Sequence, residues 1–155
     1  MRAIEVLNLL SNGISRHLVG GPDDDELDGG FGDDWLFGDN LPADVTCDDA
    51  DLRDGPTGCI SVVSACGVGV GSGQDRITGG DGDDYLFGGE GHDALTGEGD
   101  QDVICGNGGN DSLDGGEDDD QLYGGADNDV LYGRMGHDRL YGDAGDDLLW
   151  AGAGD

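Results

Sequence analysis

Residues 79–87 read GGDGDDYLF and residues 88–96 read GGEGHDALT; the two stretches share a leading glycine, Asp at the sixth place and Leu at the eighth. The same phase continues without a gap from Val70 to Trp150, through VGSGQDRIT (70–78), GEGDQDVIC (97–105), GNGGNDSLD (106–114), GGEDDDQLY (115–123), GGADNDVLY (124–132), GRMGHDRLY (133–141) and GDAGDDLLW (142–150). Glycine leads eight of the nine units, Asp holds the sixth place in all nine, and Ile or Leu holds the eighth in all nine. A fixed period of this kind marks a repeat architecture in which each unit buries its apolar side against its neighbours. Two more units stand upstream, GGPDDDELD (20–28) and GGFGDDWLF (29–37), followed by a degraded one at 38–46 in which Ala43 takes the sixth place. Residues 47–69 number 23, not a multiple of nine, and read as an insertion. The expected organisation is an N-terminal cap or partial repeats (1–19), a short first block (20–46), the Cys-containing insertion (47–69) and a main block (70–155), all in one solenoid domain.

Within a unit, six positions rich in Gly, Asp and Asn describe a loop, and three positions with an apolar centre describe a short strand. Side chains alternate along a strand, so the eighth position faces inward and the seventh and ninth face outward. Two units close one 18-residue turn. The fold class is therefore all-β, a right-handed parallel β-roll with Ile77, Leu86, Leu95, Ile104, Leu113, Leu122, Leu131, Leu140 and Leu149 between two facing sheets. Stacked loops then recur every 18 residues. One edge carries Asp75, Asp93, Asp111, Asp129 and Asp147, and the other Asp84, Asp102, Asp120 and Asp138. Such columns of like charge repel in a partly dehydrated groove, while carboxylates and loop carbonyls converging on a gap are the donor set of a calcium ion.

These blocks resemble the G-G-x-G-x-D-x-U-x nonapeptide of RTX (repeats-in-toxin) proteins, the calcium-binding parallel β-roll of secreted bacterial toxins, proteases, lipases and adhesins. The resemblance covers 20–37 and 70–155. It implies that the sixth-position Asp residues of both edges, with Asp25 and Asp34 upstream, are side-chain ligands. It assigns backbone carbonyls to the first-position Gly79, Gly88, Gly97, Gly106, Gly115 and Gly124 and the fourth-position Gly82, Gly91 and Gly109. Pairing units two apart gives at most seven complete calcium sites in the main block. Asp100, Asp118 and Asp127 replace the fourth-position glycine, and loops there are expected to bind with altered geometry or not at all. Asp25 and Asp34 fall on opposite edges.

Composition points the same way. The formal net charge is −30, with 36 acidic residues against six arginines and no lysine, and 31 of the acids are Asp. Gly and Asp make up 65 of the 155 residues, the composition of a disordered chain unless those residues are ordered in phase. Such a surface repels phosphate backbones and anionic membranes and favours cations. No apolar run is long enough for a transmembrane helix, and Met1 to Ser11 lacks the features of a secretory signal, so an exported chain would carry its signal elsewhere or have lost it. A core of one apolar residue in nine predicts folding coupled to calcium.

Cys47, Cys59 and Cys66 lie in the insertion and Cys105 at an outward ninth position. In an extracellular protein two disulfides are expected, with three connectivities open; zinc is the alternative, without a Cys-x-x-Cys pair or a nearby His to favour it. The insertion reads as a stapled cap or lateral loop. His17, His92 and His137 are scattered and read as incidental. No nucleophile elbow, metalloprotease helix, Walker loop or EF-hand loop is present, so no enzyme is expected. Tyr132 falls over Trp150 and Tyr123 over Tyr141, ladders that stiffen a sheet or form an interface. The expected function is an extracellular structural or adhesive module that calcium folds. Because the sequence stops mid-loop, head-to-tail stacking of copies into a filament is expected as a sharper form. The competing expectation is the repeat region of a secreted hydrolase or toxin, aiding type I secretion and folding.

Overall fold

The computed structural model describes residues 17–20, 24–32, 35–38 and 73–154. Within them lie β1 (His17–Val19), β2 (Glu26–Phe31), β3 (Trp35–Phe37), β4 (Arg76–Asp81), β5 (Tyr85–Glu90), β6 (Ala94–Gly99), β7 (Val103–Gly108), β8 (Ser112–Gly116), β9 (Gln121–Ala126), β10 (Val130–Met135), β11 (Arg139–Ala144) and β12 (Leu148–Ala153). Odd-numbered strands form one six-stranded sheet and even-numbered strands another, each in chain order, and every pairing is parallel. The chain thus alternates between two sheets, one unit to each, in an all-β solenoid with an 18-residue coil.

The eighth-position side chains fill the space between the sheets. Leu18, Leu27, Leu36, Ile77, Leu86, Leu95, Ile104, Leu113, Leu122 and Leu131 form one buried column, with Leu140 partly buried at its end. Each such burial contributes about 1.5–3 kcal/mol. Leu149, on the outermost strand of its sheet, is 44% exposed.

Strands are longer than the nine-residue pattern predicts. Each typically runs from the seventh position through the third of the next unit, because the chain resumes its ladder after turning a corner. Thr78 pairs with Thr96 and Gly80 with Glu98, while the first-position residues between them drop out of the pairing. A positive φ at the second position makes that corner. Gly80 adopts it at 120°, and the non-glycine residues Glu98, Asn107, Arg134 and Asp143 adopt it at 65–85°.

The upstream block belongs to the same solenoid. Leu27 pairs with Ile77, an offset of 50 residues where the repeat offset is 18. The junction lies between Gly38 and Gly73. The Gly38 amide donates to the Phe87 carbonyl at 2.9 Å, and Gly38 faces the Asp75 carboxylate just as Gly88 faces Asp93. One structural unit is therefore assembled from Gly38 and from Gly73 to Thr78. The sixth-position partner of Gly38 is Asp75 rather than Ala43, which lies outside the described residues, as does the insertion at 47–69.

The two outer faces differ. On the even-numbered sheet the outward Glu26, Asp28 and Arg76 are exposed. On the odd-numbered sheet Trp35, Phe37, Phe87 and Cys105 form a second apolar cluster, buried although they occupy outward positions. Trp35 stacks on Tyr85 and Phe37 on Phe87, with ring centroids 4.3 and 4.9 Å apart.

Candidate functional site: two columns of buried aspartates

From β4 onwards the long strands cut each loop to three or four residues, which draws the sixth-position Asp to the edge of the core. Asp75, Asp84, Asp93, Asp102, Asp111, Asp120 and Asp129 are all at most 3% exposed. Their backbone amides and carboxylates form a ladder. The amide of Asp75 donates to Oδ1 of Asp93, Asp93 to Asp111, Asp111 to Asp129 and Asp129 to Asp147, at 2.8–2.9 Å. On the other edge Asp84 donates to Asp102, Asp102 to Asp120 and Asp120 to Asp138, at 2.9–3.1 Å. The amide of Asp25 donates to Oδ1 of Asp75 at 2.8 Å, which extends the first column upstream across the junction. Asp34 lies outside the described residues.

Oδ1 is thus committed to protein, and Oδ2 turns the other way. In Asp102, Asp111, Asp120, Asp129 and Asp138 it is buried with no hydrogen-bond partner. A buried charged oxygen without a partner is costly, and native proteins leave few of them. Burial pushes the Asp102 carboxyl up to about 8, against the opposing pull of the hydrogen bond from the Asp84 amide and with the charges of Asp84, Asp120 and Asp83 adding to the rise. Asp111 and Asp120 are pushed to about 7 and Asp129 to about 6, again first by burial and then by neighbouring carboxylates.

The first-position glycines open the space that Oδ2 faces. A Cβ at Gly88 would sit 2.5 Å from Oδ2 of Asp93 and 2.8 Å from the carbonyl oxygen of Gly106, one coil on. The same pairing of carboxylate and next-coil carbonyl recurs at Gly79 with Asp84 and Gly97, at Gly97 with Asp102 and Gly115, at Gly106 with Asp111 and Gly124, at Gly115 with Asp120 and Gly133, and at Gly124 with Asp129 and Gly142. A carboxylate oxygen and a carbonyl oxygen face each of these gaps. No three His, Cys, Asp or Glu side chains cluster among the described residues, so an ion would be held by few carboxylates and completed by backbone carbonyls. Hard oxygen donors of mixed type fit calcium, which accepts irregular, oxygen-rich coordination.

The fourth position differs in backbone detail between loops. Asp100, Asp118 and Asp127 keep the left-handed backbone that the loop requires, with φ of 69–75°, whereas Gly82, Gly91 and Gly109 lie at 115–154°. Asp tolerates that region better than most side chains. Asp127 stands close enough to raise the carboxyls of both Asp111 and Asp129.

A second ladder occupies the fifth position and was not foreseen. The amides of Gln74, Gln101, Asn110, Asn128, His137 and Asp146 donate to the side chains of Asp24, Asp83, His92, Asn110, Asp119 and Asn128, each one coil earlier, at 2.8–3.1 Å. Its sense is opposite to that of the sixth-position ladder. His92, read from sequence as incidental, accepts through Nδ1 and is a rung of this ladder. The signal was present, because positions 74, 83, 92, 101, 110, 119, 128, 137 and 146 are all Asp, Asn, Gln or His.

No helix among the described residues is long and apolar enough to cross a membrane. No curated protein and no solved structure gives a significant match. The family comparison does: residues 17–40, 70–104, 106–140 and 132–155 each match the family described as RTX calcium-binding nonapeptide repeat (4 copies). With its two parallel sheets, its 18-residue coil and these matches over most of its length, the chain belongs to the RTX calcium-binding nonapeptide repeat family.

Proposed function

We propose that this chain is an extracellular structural or adhesive module, without a catalytic role, which calcium folds and stiffens. The single observation that carries the reading is the row of buried, unpartnered Oδ2 atoms at Asp102, Asp111, Asp120, Asp129 and Asp138. Calcium would supply positive charge to these oxygens, and the sixth-position carboxylates with first-position carbonyls would hold it. The chain's own contribution is to fix each Oδ1 on a neighbouring amide, so that Oδ2 is aimed before an ion arrives. Assembly head to tail is the sharper form. It is supported by the exposure of Leu148, Leu149 and Trp150 on β12, since exposed apolar side chains favour contact with another copy.

Calcium titration and sedimentation on the same sample test both parts. The expected result is cooperative gain of β circular dichroism with several ions bound per chain, together with growth of larger species. Full β structure in excess chelator would overturn calcium-coupled folding. A strict monomer in saturating calcium would overturn assembly and favour the repeat region of a secreted hydrolase or toxin.

A further inference from the structure

We propose that Tyr123 and Tyr141 form an oxidative cross-linking site, at which a one-electron oxidant, a peroxidase with hydrogen peroxide, joins the two phenols as dityrosine within one chain. This goes beyond the calcium reading and rests on the fold alone. Tyr123 on β9 and Tyr141 on β11 are in-register partners on adjacent parallel strands. Their rings stack, with centroids 4.8 Å apart and planes 8° from parallel, which keeps the two phenols one strand spacing from each other along their whole length. Tyr141 is 43% exposed and Tyr123 is half-buried. An oxidant therefore reaches the pair from the outer face of the odd-numbered sheet, and the outer ring is free to swing from a stacked to a side-by-side arrangement.

The other two of the chain's four tyrosines are placed differently. Tyr85 stacks on Trp35, and Tyr132, on the even-numbered sheet, lies between Trp150 and the guanidinium of Arg134. Among the described residues neither stacks on another tyrosine. The chain has no lysine, so amide and imine links from a lysine amine are closed to it, and paired phenols are the covalent option its outer face presents. In the reaction each phenol gives one electron and its hydroxyl proton to the oxidant. The two phenoxyl radicals pair their electrons in one carbon–carbon bond between ring carbons ortho to the oxygens. Each of those carbons then loses its hydrogen as a proton while each oxygen regains one, so the product is two hydrogens lighter and the peroxide leaves as two waters. The new bond would close a ring through β10 that holds Asp129 and Asp138 between its ends.

The test treats the calcium-loaded full chain, at low concentration, with a haem peroxidase and limiting hydrogen peroxide. The denatured monomer is then isolated, reduced, alkylated and cut with trypsin, which separates Tyr141 (140–155) from the other three tyrosines (77–134). The expected result is dityrosine fluorescence in the monomer and peptide 77–134 joined to 140–155, with fragment ions placing the bond at Tyr123. Tyr132 makes the result discriminating. It lies nine residues from Tyr141 whereas Tyr123 lies eighteen, and the shorter loop costs less entropy to close, so coupling without the stack would join Tyr132 to Tyr141. Tyr132→Phe should leave the yield unchanged. Tyr123→Phe, which places at this ninth position the residue that Phe87 already supplies at its own, should lose the intrachain product. A monomer without dityrosine, a bond at Tyr85 or Tyr132, or an equal yield from Tyr123→Phe would overturn the site.

Discussion

The fifth and sixth positions are neighbours in every loop, both are dominated by small polar residues, and both build hydrogen-bonded columns with an 18-residue step. They nonetheless do different work. Fifth-position side chains stand in solvent, and each recorded rung uses an amide from the coil ahead. Most sixth-position carboxylates are buried, and in Asp102, Asp111, Asp120, Asp129 and Asp138 Oδ2 has no hydrogen-bond partner. The chemical difference is therefore burial rather than acidity, since Asp83 and Asp119 in the exposed column carry the same side chain as Asp84 and Asp120 in the buried one. A carboxylate in water is already satisfied, whereas one aimed into a gap between coils needs a cation.

The largest effect expected from that contrast comes from the buried column. The double variant Asp102→Asn, Asp111→Asn keeps the Oδ1 acceptors but removes charge from one site region on each edge. Each change should weaken its ion by about tenfold or more, roughly 1.4 kcal/mol or more, and titration calorimetry should show fewer tight ions per chain. Unchanged stoichiometry and affinity would remove the sixth column from the binding reading. Next comes Gly106→Ala, whose methyl would enter the space shared by Asp111 and the Gly124 carbonyl. A loss of about 2–3 kcal/mol in calcium-loaded stability is expected, the upper range for a single substitution, measured by denaturant unfolding.

Protons sharpen the same contrast. The carboxyls of Asp102, Asp111, Asp120 and Asp129 are raised in the fold, to between about 6 and about 8. Below pH 4 they are protonated in both folded and unfolded chains. As pH rises the unfolded chain loses these protons first, so the metal-free roll loses stability from pH 4 up through its raised values. In excess chelator the chain should therefore gain β circular dichroism as pH falls from 7 towards 4. Absence of any such gain would contradict the burial argument. The smallest effect belongs to the exposed column. Asn128→Ala deletes the acceptor for the Asp146 amide, and should cost about 1 kcal/mol in denaturant unfolding while leaving ion stoichiometry unchanged.

Most of this architecture was legible in advance because position in the repeat translates directly into direction in space. Asp at every sixth place and Leu or Ile at every eighth predicted the two columns, the inward core and the 18-residue coil. What escaped was whatever depends on contacts between distant parts of the chain. Ala43 looked like a failed sixth position only because Gly38 was read with its sequence neighbours, whereas its structural partner is Asp75. Trp35, Phe37 and Phe87 occupy positions read as outward and are nonetheless buried, since alternation along a strand sets direction and not exposure. His92 looked incidental because a hydrogen-bonding role shared by Asp, Asn and His does not stand out as a single repeated letter. The six-residue strands were missed because glycine pairs signal a turn, and here the turn occupies a corner within a continuing ladder.

The junction at Gly38 carries a broader lesson about growth of such molecules. The step from Gly88 to Gly91 is bridged by two residues, and the corresponding step from Gly38 to Gly73 by thirty-four, yet strands on either side keep the same partners. Loop-closure entropy rises only with the logarithm of length, about 0.6 kcal/mol per doubling, so a solenoid coil tallies contacts and is nearly indifferent to how much chain hangs between them. The edge of each coil is in that sense a port, where a lineage or an engineer could graft cargo of another kind without re-tuning the scaffold that carries it.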